Sequence, residues 1–256
     1  MGSAVAASLV GADYEITCTA ASQKTLDLVK KVLPEVKTTL SNKEAVKDAD
    51  IVVLAVKPYL ANEVCAEIVG DIKDDAVVIS LMAGIGICDL RNMLHIDWNL
   101  IYAGISNKLH LVRVIPNTAI LYGKSVTFIA FAEDVPEEVM EEVVDIFNRS
   151  GKSFIVPENK MAACTSLASC GIAYFLRFIR AAVEGSVELG LKADFATEVA
   201  ALTAEGAAAL LADGSHPEAE IDKVATPGGL TIRGLNTLEA HGLSAAVIAA
   251  LKASTI

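Results

Sequence analysis

Positive charge is scarce in this sequence. Its 256 residues contain 21 Lys and Arg against 32 Asp and Glu, which gives a formal net charge of −11 and a pI near 4.8. Proteins that bind nucleic acid need clustered cations to neutralise phosphates. The composition therefore excludes nucleic acid from the expected partners.

Long apolar runs and paired cysteines are also lacking. The longest uncharged stretch, residues 162–176, is closed by Arg177 and Arg180 before it reaches the roughly 20 residues that a membrane span needs. The five cysteines form no CxxC pair and have no histidine at metal spacing. We expect buried free thiols in a reducing cytoplasm, no metal site and no membrane partner.

The opening residues MGSAVAASLV lack the marks of a targeting segment. No basic region precedes the apolar residues 3–9, as a secretory signal would require. Ala6 stands where N-myristoylation needs Ser or Thr. The stretch is therefore interpreted as part of the fold.

Apolar strands alternate with amphipathic helices from residue 3 to about 150. Strands are predicted over 15–20, 47–58 and 74–84, and helices over 4–10, 23–33 and 59–72. Strands that are apolar throughout are typical of a parallel sheet covered on both faces. The sequence predicts an α/β fold with a Rossmann-like doubly wound sheet over residues 1–153.

The second part of the chain reads as helices only. They are predicted over 159–191, 194–212, 231–240 and 243–253, with Ala-rich apolar stripes. Such stripes usually indicate helix packing or a subunit interface. We expect an all-helical domain over residues 154–256 that forms a homodimer or larger homo-oligomer.

Two short stretches resemble parts of a dinucleotide site. Gly2-Ser3-Ala4 fits the third glycine of a G-x-G-x-x-G turn and the helix start after it, so the first strand and first two glycines would lie before residue 1. The next strand ends with Ser22 and Lys24 and no acid until Asp27. This end is either a pocket for the 2′-phosphate of NADP or an ordinary polar turn.

The segment TPGGLTIRGL (226–235) is the most specific motif. Gly228 and Gly229 allow close backbone approach to a ligand, and a helix starting near Leu230 offers free N–H groups to an anion such as a small carboxylate. Thr231 would then lie within reach of that ligand. On spacing alone, a glycine-rich turn before a capped helix would be the ordinary interpretation.

KVATPGGLTIRGLNTLE resembles the C-terminal signature of the pyrroline-5-carboxylate reductase family. Four stretches ahead of this signature occur in the order that the family has: residues 41–58, ISLMAG (79–84), VRVIPNTA (112–119) and HPEAEIDKV (216–224). The similarity therefore spans nearly the whole chain. The resemblance implies a Rossmann domain, a helical dimerisation domain, and sites completed across an interlocked dimer. It also implies reduction of 1-pyrroline-5-carboxylate to L-proline with NADPH, or with NADH as the alternative cofactor.

The resemblance also implies roles for individual residues. The cofactor set is Gly2, Ser3, Ser22, Lys24, Asn42, Ala55, Val56, Lys57, Pro58, Ala83, Gly84, Asn117 and Thr118. The substrate set is Gly228, Gly229 and Leu230 for the carboxylate, Thr231 as the catalytic hydroxyl on the ring nitrogen, and Cys170 and Asn117 lining the pocket. Hydride transfer to a protonated imine needs orientation and exclusion of water more than a strong acid or base.

The sequence departs from the family pattern in three places. The first strand and its Gly-x-Gly turn are absent ahead of Met1, and this would leave open edges on the neighbouring strands. Cys170 and Ile172 replace a hydroxyl residue and a proline, and the link over 94–114 is longer and carries Trp98. Two alternatives therefore stand beside the main hypothesis: a reductase of a related cyclic imine, and an inactive homologue that acts only as an oligomeric protein.

Overall fold

The computed structural model describes residues 1–96 and 108–255 and divides the chain into two compact units, Met1–Ser169 and Cys170–Thr255. The sequence analysis placed the domain boundary between residues 153 and 154. The division by contacts lies further along, inside a helical segment. The predicted insertion around Trp98 falls outside the described residues.

The first unit alternates helices and strands over most of its length. Its elements are α1 (Gly2–Leu9), β1 (Thr17–Thr19), α2 (Gln23–Val32), β2 (Lys37–Thr39), α3 (Asn42–Val46), β3 (Ile51–Leu54), α4 (Ala61–Ile68), β4 (Val77–Ser80), α5 (Ile87–Met93), β5 (His110–Ile115), β6 (Ser125–Phe131), α6 (Glu137–Asn148) and β7 (Gly151–Ile155). Short 3₁₀ turns cover Pro58–Leu60, Thr118–Tyr122 and Glu158–Lys160.

The strands form two separate sheets. One has the order β3-β4-β5-β6-β7, and the other holds only β1 and β2. β3, β4 and β5 run parallel, as predicted, but β6 is antiparallel to β5 and β7 is parallel to β6. The expectation of a parallel sheet was wrong for this end, where residues 116–124 join β5 to β6 directly, without the helical crossover that a parallel pair needs.

Neither β1 nor β3 has a strand partner that would join the two sheets among the described residues. Among the described residues, β1 pairs only with β2, and β3 pairs only with β4, so each has one edge with no strand beside it. This agrees with the expectation of open edges on these neighbours. The Rossmann-like class of the domain is confirmed, and its sheet is interrupted at this position.

Apolar side chains cover both faces of the larger sheet. Alternate residues of β3 and β4, such as Val52 and Val78, enter a cluster with α4 and α5, while Val77 and Ile79 face a second cluster that contains α1 and α6. Burial on both faces explains why these strands are apolar at every position except Ser80. Helix α1 buries Val5 in the second cluster and Ala6 against the smaller sheet, so it packs on both sheets.

The second unit consists of helices, and the helical segment that leads into it starts at Glu158. That segment contains α7 (Met161–Cys164) and a π-helical turn (Thr165–Cys170). The helices of the second unit itself are α8 (Gly171–Glu188), α9 (Ala193–Ala209), α10 (Pro217–Val224), α11 (Leu230–Ala240) and α12 (Leu243–Ala253). The positions of the four predicted helices are confirmed. The strand predicted over 15–20 is present as β1, whereas α10, the π-helical turn and β2 were not predicted because they are too short for their type to show in the periodicity.

Two predicted helices differ in detail from the structure. The first begins at Gly2 and ends at Leu9, where 4–10 was predicted. The segment predicted over 59–72 begins as the 3₁₀ turn Pro58–Leu60, because Pro58 occupies the first position, and continues as α4 to Ile68.

Helices α8 and α9 carry many exposed apolar side chains. Phe175 is 70% exposed and Leu202 is 61% exposed. The sequence analysis ended the apolar run at Arg177, but the helical segment continues from Glu158 to Glu188, and by length and composition alone these 31 residues pass the test for a membrane span. The core helix of a soluble protein passes the same test, so this finding does not identify what covers the apolar face.

Candidate active site

Three loops of the predicted cofactor site follow neighbouring parallel strands. Ala55–Pro58 come after β3, Ala83 and Gly84 after β4, and Asn117 and Thr118 after β5. Because parallel strands end at the same edge of a sheet, the structure places these loops along one edge. Ligands of open α/β sheets bind at this edge.

Gly2 lies directly against the first of these loops. A Cβ atom built on Gly2 would stand 2.8 Å from the Cβ of Ala55, closer than real side chains approach one another. Only glycine therefore permits α1 to start so close to the end of β3. The first turn of α1 has no side-chain cap, so the N–H groups of Gly2 and Ser3 are directed to the same edge without a partner in the helix.

The loop Leu81–Gly86, which joins β4 to α5, contains Ala83 and Gly84. Gly84 has φ of +80°, a conformation that favours glycine. At the far end of the loop, the backbone N–H of Gly86 donates to Asp89 Oδ2 over 3.0 Å, and the N–H of Ile87 donates to Glu158 Oε1 over 2.6 Å. Two carboxylates therefore hold the point where the loop enters α5.

The side chain of Asn117 is engaged at both ends. Its Oδ1 accepts a hydrogen bond from the N–H of Ala119 over 3.0 Å and so caps the 3₁₀ turn, while its Nδ2 donates to the carbonyl of Ala168 over 3.3 Å. Asn117 is only 4% exposed. Its contribution to the edge is therefore made through the shape of the loop, since both polar ends of the side chain bind protein.

A second hydrogen bond joins the same loop to the π-helical turn. The hydroxyl of Ser169 donates to the carbonyl of Pro116 over 3.4 Å. A π-helical turn shifts carbonyls out of the regular hydrogen-bond ladder, and such turns are frequent at functional sites. Residues 116–117 and 168–169 are thus tied together by two hydrogen bonds of opposite direction.

The residues predicted for the adenosine end lie on the smaller sheet and beside it. Ser22 caps α2 by accepting from the N–H of Thr25 over 3.3 Å, and Lys24 stands exposed in the first turn of the same helix. Asn42, at the start of α3, donates to Glu67 Oε2 over 2.8 Å. The ordinary polar turn that the sequence left open is present, and it leaves the Lys24 ammonium in solvent.

The TPGG motif forms a tight turn in the second unit. Gly228 has φ of +73°, and the N–H of Gly229 donates to the carbonyl of Thr226 over 3.0 Å. A Cβ on Gly229 would lie 2.5 Å from Thr226 Oγ1, so the turn excludes any larger residue there. Gly229 is the N-cap of α11 and provides no side-chain cap, so the first N–H groups of α11 are free to bind an anion.

Thr231 and Leu230 occupy the first turn of α11, and both are exposed. Cys170 closes the π-helical turn, precedes α8 and is half-buried. The predicted substrate residues Gly228 to Thr231 are brought together on one turn. Within the described residues, no group of three or more His, Cys, Asp or Glu side chains is arranged to hold a metal.

The sequence analysis did not identify Arg113 and Glu158. Arg113 Nη1 lies 3.4 Å from Glu158 Oε1, the oxygen that also accepts from Ile87. A signal was available, because Arg113 is the only charged residue in the apolar strand HLVRVI. A cation in such a strand requires a partner, but its identity, 45 residues away, cannot be read from the pattern.

Family comparisons cover both units. The family described as "Pyrroline-5-carboxylate reductase dimerisation" matches residues 158–256, and "NADP oxidoreductase coenzyme F420-dependent" matches residues 1–84. Pyrroline-5-carboxylate reductase 2 of Dictyostelium discoideum is 35% identical over 97% of this chain and 85% of its own length. Pyrroline-5-carboxylate reductase 1 of the same organism is 34% identical over 100% of this chain, which spans 47% of that relative's length.

Solved structures show the same fold. The pyrroline-5-carboxylate reductase of Streptococcus pyogenes matches with a TM-score of 0.87 and 26% identity over 100% of this chain and 93% of its own. The NADP-bound reductase of Plasmodium falciparum matches with a TM-score of 0.84 and 24% identity over 99% and 89%.

Proposed function

Since this chain belongs to the pyrroline-5-carboxylate reductase family, we propose that it reduces 1-pyrroline-5-carboxylate to L-proline with NADPH as the reductant. The observation that carries the proposal is the TPGG turn at the start of α11. It presents free backbone N–H groups and the hydroxyl of Thr231 from one turn, which suits a small ring that bears both a carboxylate and a basic nitrogen.

The residues at the sheet edge fit a dinucleotide. Because Gly2 has no Cβ, α1 can begin close to the end of β3. A pyrophosphate site at a helix N-terminus requires this close approach. Gly2 and Ser3 would bind the phosphates through their N–H groups, and Ala55–Pro58 would lie along the nucleotide. Ala83 and Gly84 would border the nicotinamide ribose, with Thr118 and the Asn117 backbone beside the nicotinamide.

Ser22 and Lys24 are proposed to favour NADPH over NADH. Lys24 is exposed in the first turn of α2, near the Ser22 cap, and β1 ends without a carboxylate that would repel a 2′-phosphate. Asn42 would lie near the adenosine, on the helix after β2. NADH remains the alternative cofactor in this proposal.

The chemistry asks little of acid or base groups. Bound NADPH supplies the hydride. The N–H groups of Gly228 and Leu230 hold the substrate carboxylate, whereas the N–H of Gly229 binds the carbonyl of Thr226 and so helps to shape the turn. The positive backbone angle of Gly228 also belongs to that shape. The Thr231 hydroxyl binds the ring nitrogen and fixes the orientation of the iminium carbon. Fixed orientation and exclusion of water supply the catalytic advantage, because the protonated imine is already electrophilic.

A second copy of the chain is proposed to cover the apolar face of α8 and α9. Both helices lie in the segment that matches the dimerisation family, and their exposed apolar side chains suit a homodimer interface. We also propose a reducing, cytoplasmic location, for which the support is that all five cysteines are free thiols.

A second candidate function is reduction of a related cyclic imine. It is favoured by Cys170 and Ile172, which stand at the start of α8 where the family usually has a hydroxyl residue and a proline. A third candidate, an inactive oligomeric homologue, is favoured by the open edges of β1 and β3.

Two measurements test these candidates. Calorimetric titration with NADPH should show stoichiometric binding. If NADPH does not bind, the third candidate, an inactive homologue, replaces the main proposal. Steady-state rates should then favour pyrroline-5-carboxylate over its six-membered homologue. If the six-membered imine has an equal or higher kcat/KM, the related reductase replaces the main proposal.

A further inference from the structure

One carboxylate in the first unit contacts two elements that are distant from it in sequence. Glu158 Oε1 accepts a hydrogen bond from the backbone N–H of Ile87 over 2.6 Å and lies 3.4 Å from Nη1 of Arg113. Ile87 begins α5, and Arg113 lies in β5. Glu158 itself begins the 3₁₀ turn that leads into α7.

Glu158 is half-buried, and its cationic partner Arg113 is more deeply buried. The side chain of Arg113 is 14% exposed and that of Glu158 is 35% exposed. Nε of Arg113 is buried and has no hydrogen-bond partner within the described residues, so Glu158 is the carboxylate on which this guanidinium depends there. Pairs of this kind are costly to break because one charge is left buried.

The loop is shaped to receive this carboxylate. A Cβ on Gly86 would stand 3.2 Å from Glu158 Oε1 and 3.3 Å from Asp89 Oδ2, so glycine gives both carboxylates access to consecutive N–H groups. Asp89 binds the N–H of Gly86 from within α5, whereas Glu158 binds the N–H of Ile87 from 71 residues away. Of these two contacts, only the second joins the loop to another part of the fold, and it does so at the end opposite to Leu81, whose N–H donates to the carbonyl of Leu54 over 3.0 Å.

We propose that Glu158 is a positioning residue for the loop Leu81–Gly86, held in place by Arg113 and acting through the N–H of Ile87. The inference rests on the proposed function, since Ala83 and Gly84 in this loop are assigned to the nicotinamide ribose there. Glu158 does not touch the cofactor in this proposal. It sets where the loop stands when the cofactor arrives.

Two conservative substitutions separate the contacts. Glu158→Gln keeps an oxygen that can accept from both Ile87 and Arg113 but removes the charge that pairs with the guanidinium, so this variant should lose stability while the loop keeps its contact. Glu158→Asp keeps the charge and shortens the reach. Because the hydrogen bond carries the effect, Glu158→Asp should raise the Kd for NADPH about tenfold, and Glu158→Gln should stay within about threefold of the unsubstituted chain. The matched control is Asp50→Asn, because Asp50 precedes β3, is exposed, and pairs with exposed Lys73.

A second measurement, hydrogen exchange, follows the stability of the loop without cofactor. Hydrogen exchange of the peptide that contains Ile87 should accelerate in Glu158→Asp and not in Glu158→Gln or Asp50→Asn. The opposite order of the two Glu158 variants, or equal exchange and equal NADPH affinity in both, overturns the inference. If the unsubstituted chain binds no NADPH while exchange still follows the expected order, the proposed function fails and the contact between Glu158 and the loop stands.

Discussion

Most polar side chains that the sequence predicts to be functional make hydrogen bonds within the protein itself. Ser22 caps α2, Asn42 binds Glu67, and Asn117 is engaged at both polar ends. Thr231 and Lys24 are different, because both are exposed and have no described side-chain partner with a structural role.

Thr231→Val removes the hydroxyl proposed to bind the ring nitrogen at nearly constant size. We expect kcat to fall by roughly 10²-fold while the thermal midpoint changes little, because the side chain is exposed at the start of α11. Thr237→Val on the same helix is the control, since the Thr237 hydroxyl only bonds the carbonyl of Arg233. Unchanged steady-state kinetics for Thr231→Val would remove this residue from the site.

Lys24→Glu reverses the charge that is proposed to attract the 2′-phosphate. The Kd for NADPH should rise by about tenfold or more, and that for NADH, which has no such phosphate, should change much less. Lys31→Glu in the last turn of α2 serves as the control of equal charge change. Equal losses for the two nucleotides would show that the phosphate is not bound at Lys24.

Cys65 predicts a pH dependence of stability. Burial raises the pKa of this thiol to about 11 from its ordinary value of 9.0. Between those values the unfolded thiol has lost its proton while the folded one keeps it, so the folded state binds more protons and the free energy of unfolding falls as pH rises from 9 to 11. Urea unfolding across that window should show a shallower fall for Cys65→Ala than for the exposed-site control Cys88→Ala.

Whole elements were predicted well where hydrophobic burial alone determines them. β3 and β4 were found because both of their faces are buried, and α9 and α12 because helical periodicity persists over many residues. β1 was predicted as part of a longer strand over 15–20, but β2 has only three residues, which is too short for a period to show. The antiparallel direction of β6 was not predicted, because it depends on the short connection over residues 116–124 and not on hydrophobic burial.

The candidate site also contains some features that could be predicted from the sequence and one that could not. Positions such as Gly2 and Gly229 could be predicted, because a close approach between two segments of the chain requires glycine there, and glycine is visible in the sequence. The contact between Glu158 and Ile87 could not, because a hydrogen bond to a backbone N–H places no demand on the residue type of Ile87.

The start of α1 against β3 gives a prediction at the level of elements. In Gly2→Ala the new Cβ would meet Ala55 at 2.8 Å, so α1 must move away from the sheet edge. We expect a cost in the range of about 1–3 kcal/mol and a corresponding loss of NADPH affinity. Gly70→Ala, where nothing lies within 4 Å of the added atom, should leave calorimetric titrations unchanged. NADPH affinity equal to that of the unsubstituted chain would show that this contact does not shape the site.

At the scale of the whole molecule, the exposed apolar face of α8 and α9 determines the expected assembly. Leu202→Glu places a charge in the middle of that face and should shift the chain from dimer to monomer in sedimentation velocity, because an unpaired charge in an apolar interface is strongly disfavoured. Val32→Glu is the control, since Val32 is 73% exposed on α2 in the first unit. A Leu202→Glu variant that sediments as a dimer would place the interface elsewhere.

The separation of the two sheets has a consequence for the order in which the first unit opens. No strand-to-strand hydrogen bond joins β1-β2 to β3-β7 among the described residues, so the smaller sheet can unfold locally without breaking the ladder of the larger one. α1 is the helix whose apolar side chains enter clusters on both. A dinucleotide that reached from Ser22 to Gly84 would join two parts that no strand-to-strand hydrogen bond connects among the described residues, and the bound cofactor would then serve as a cross-link of the domain as well as its reductant.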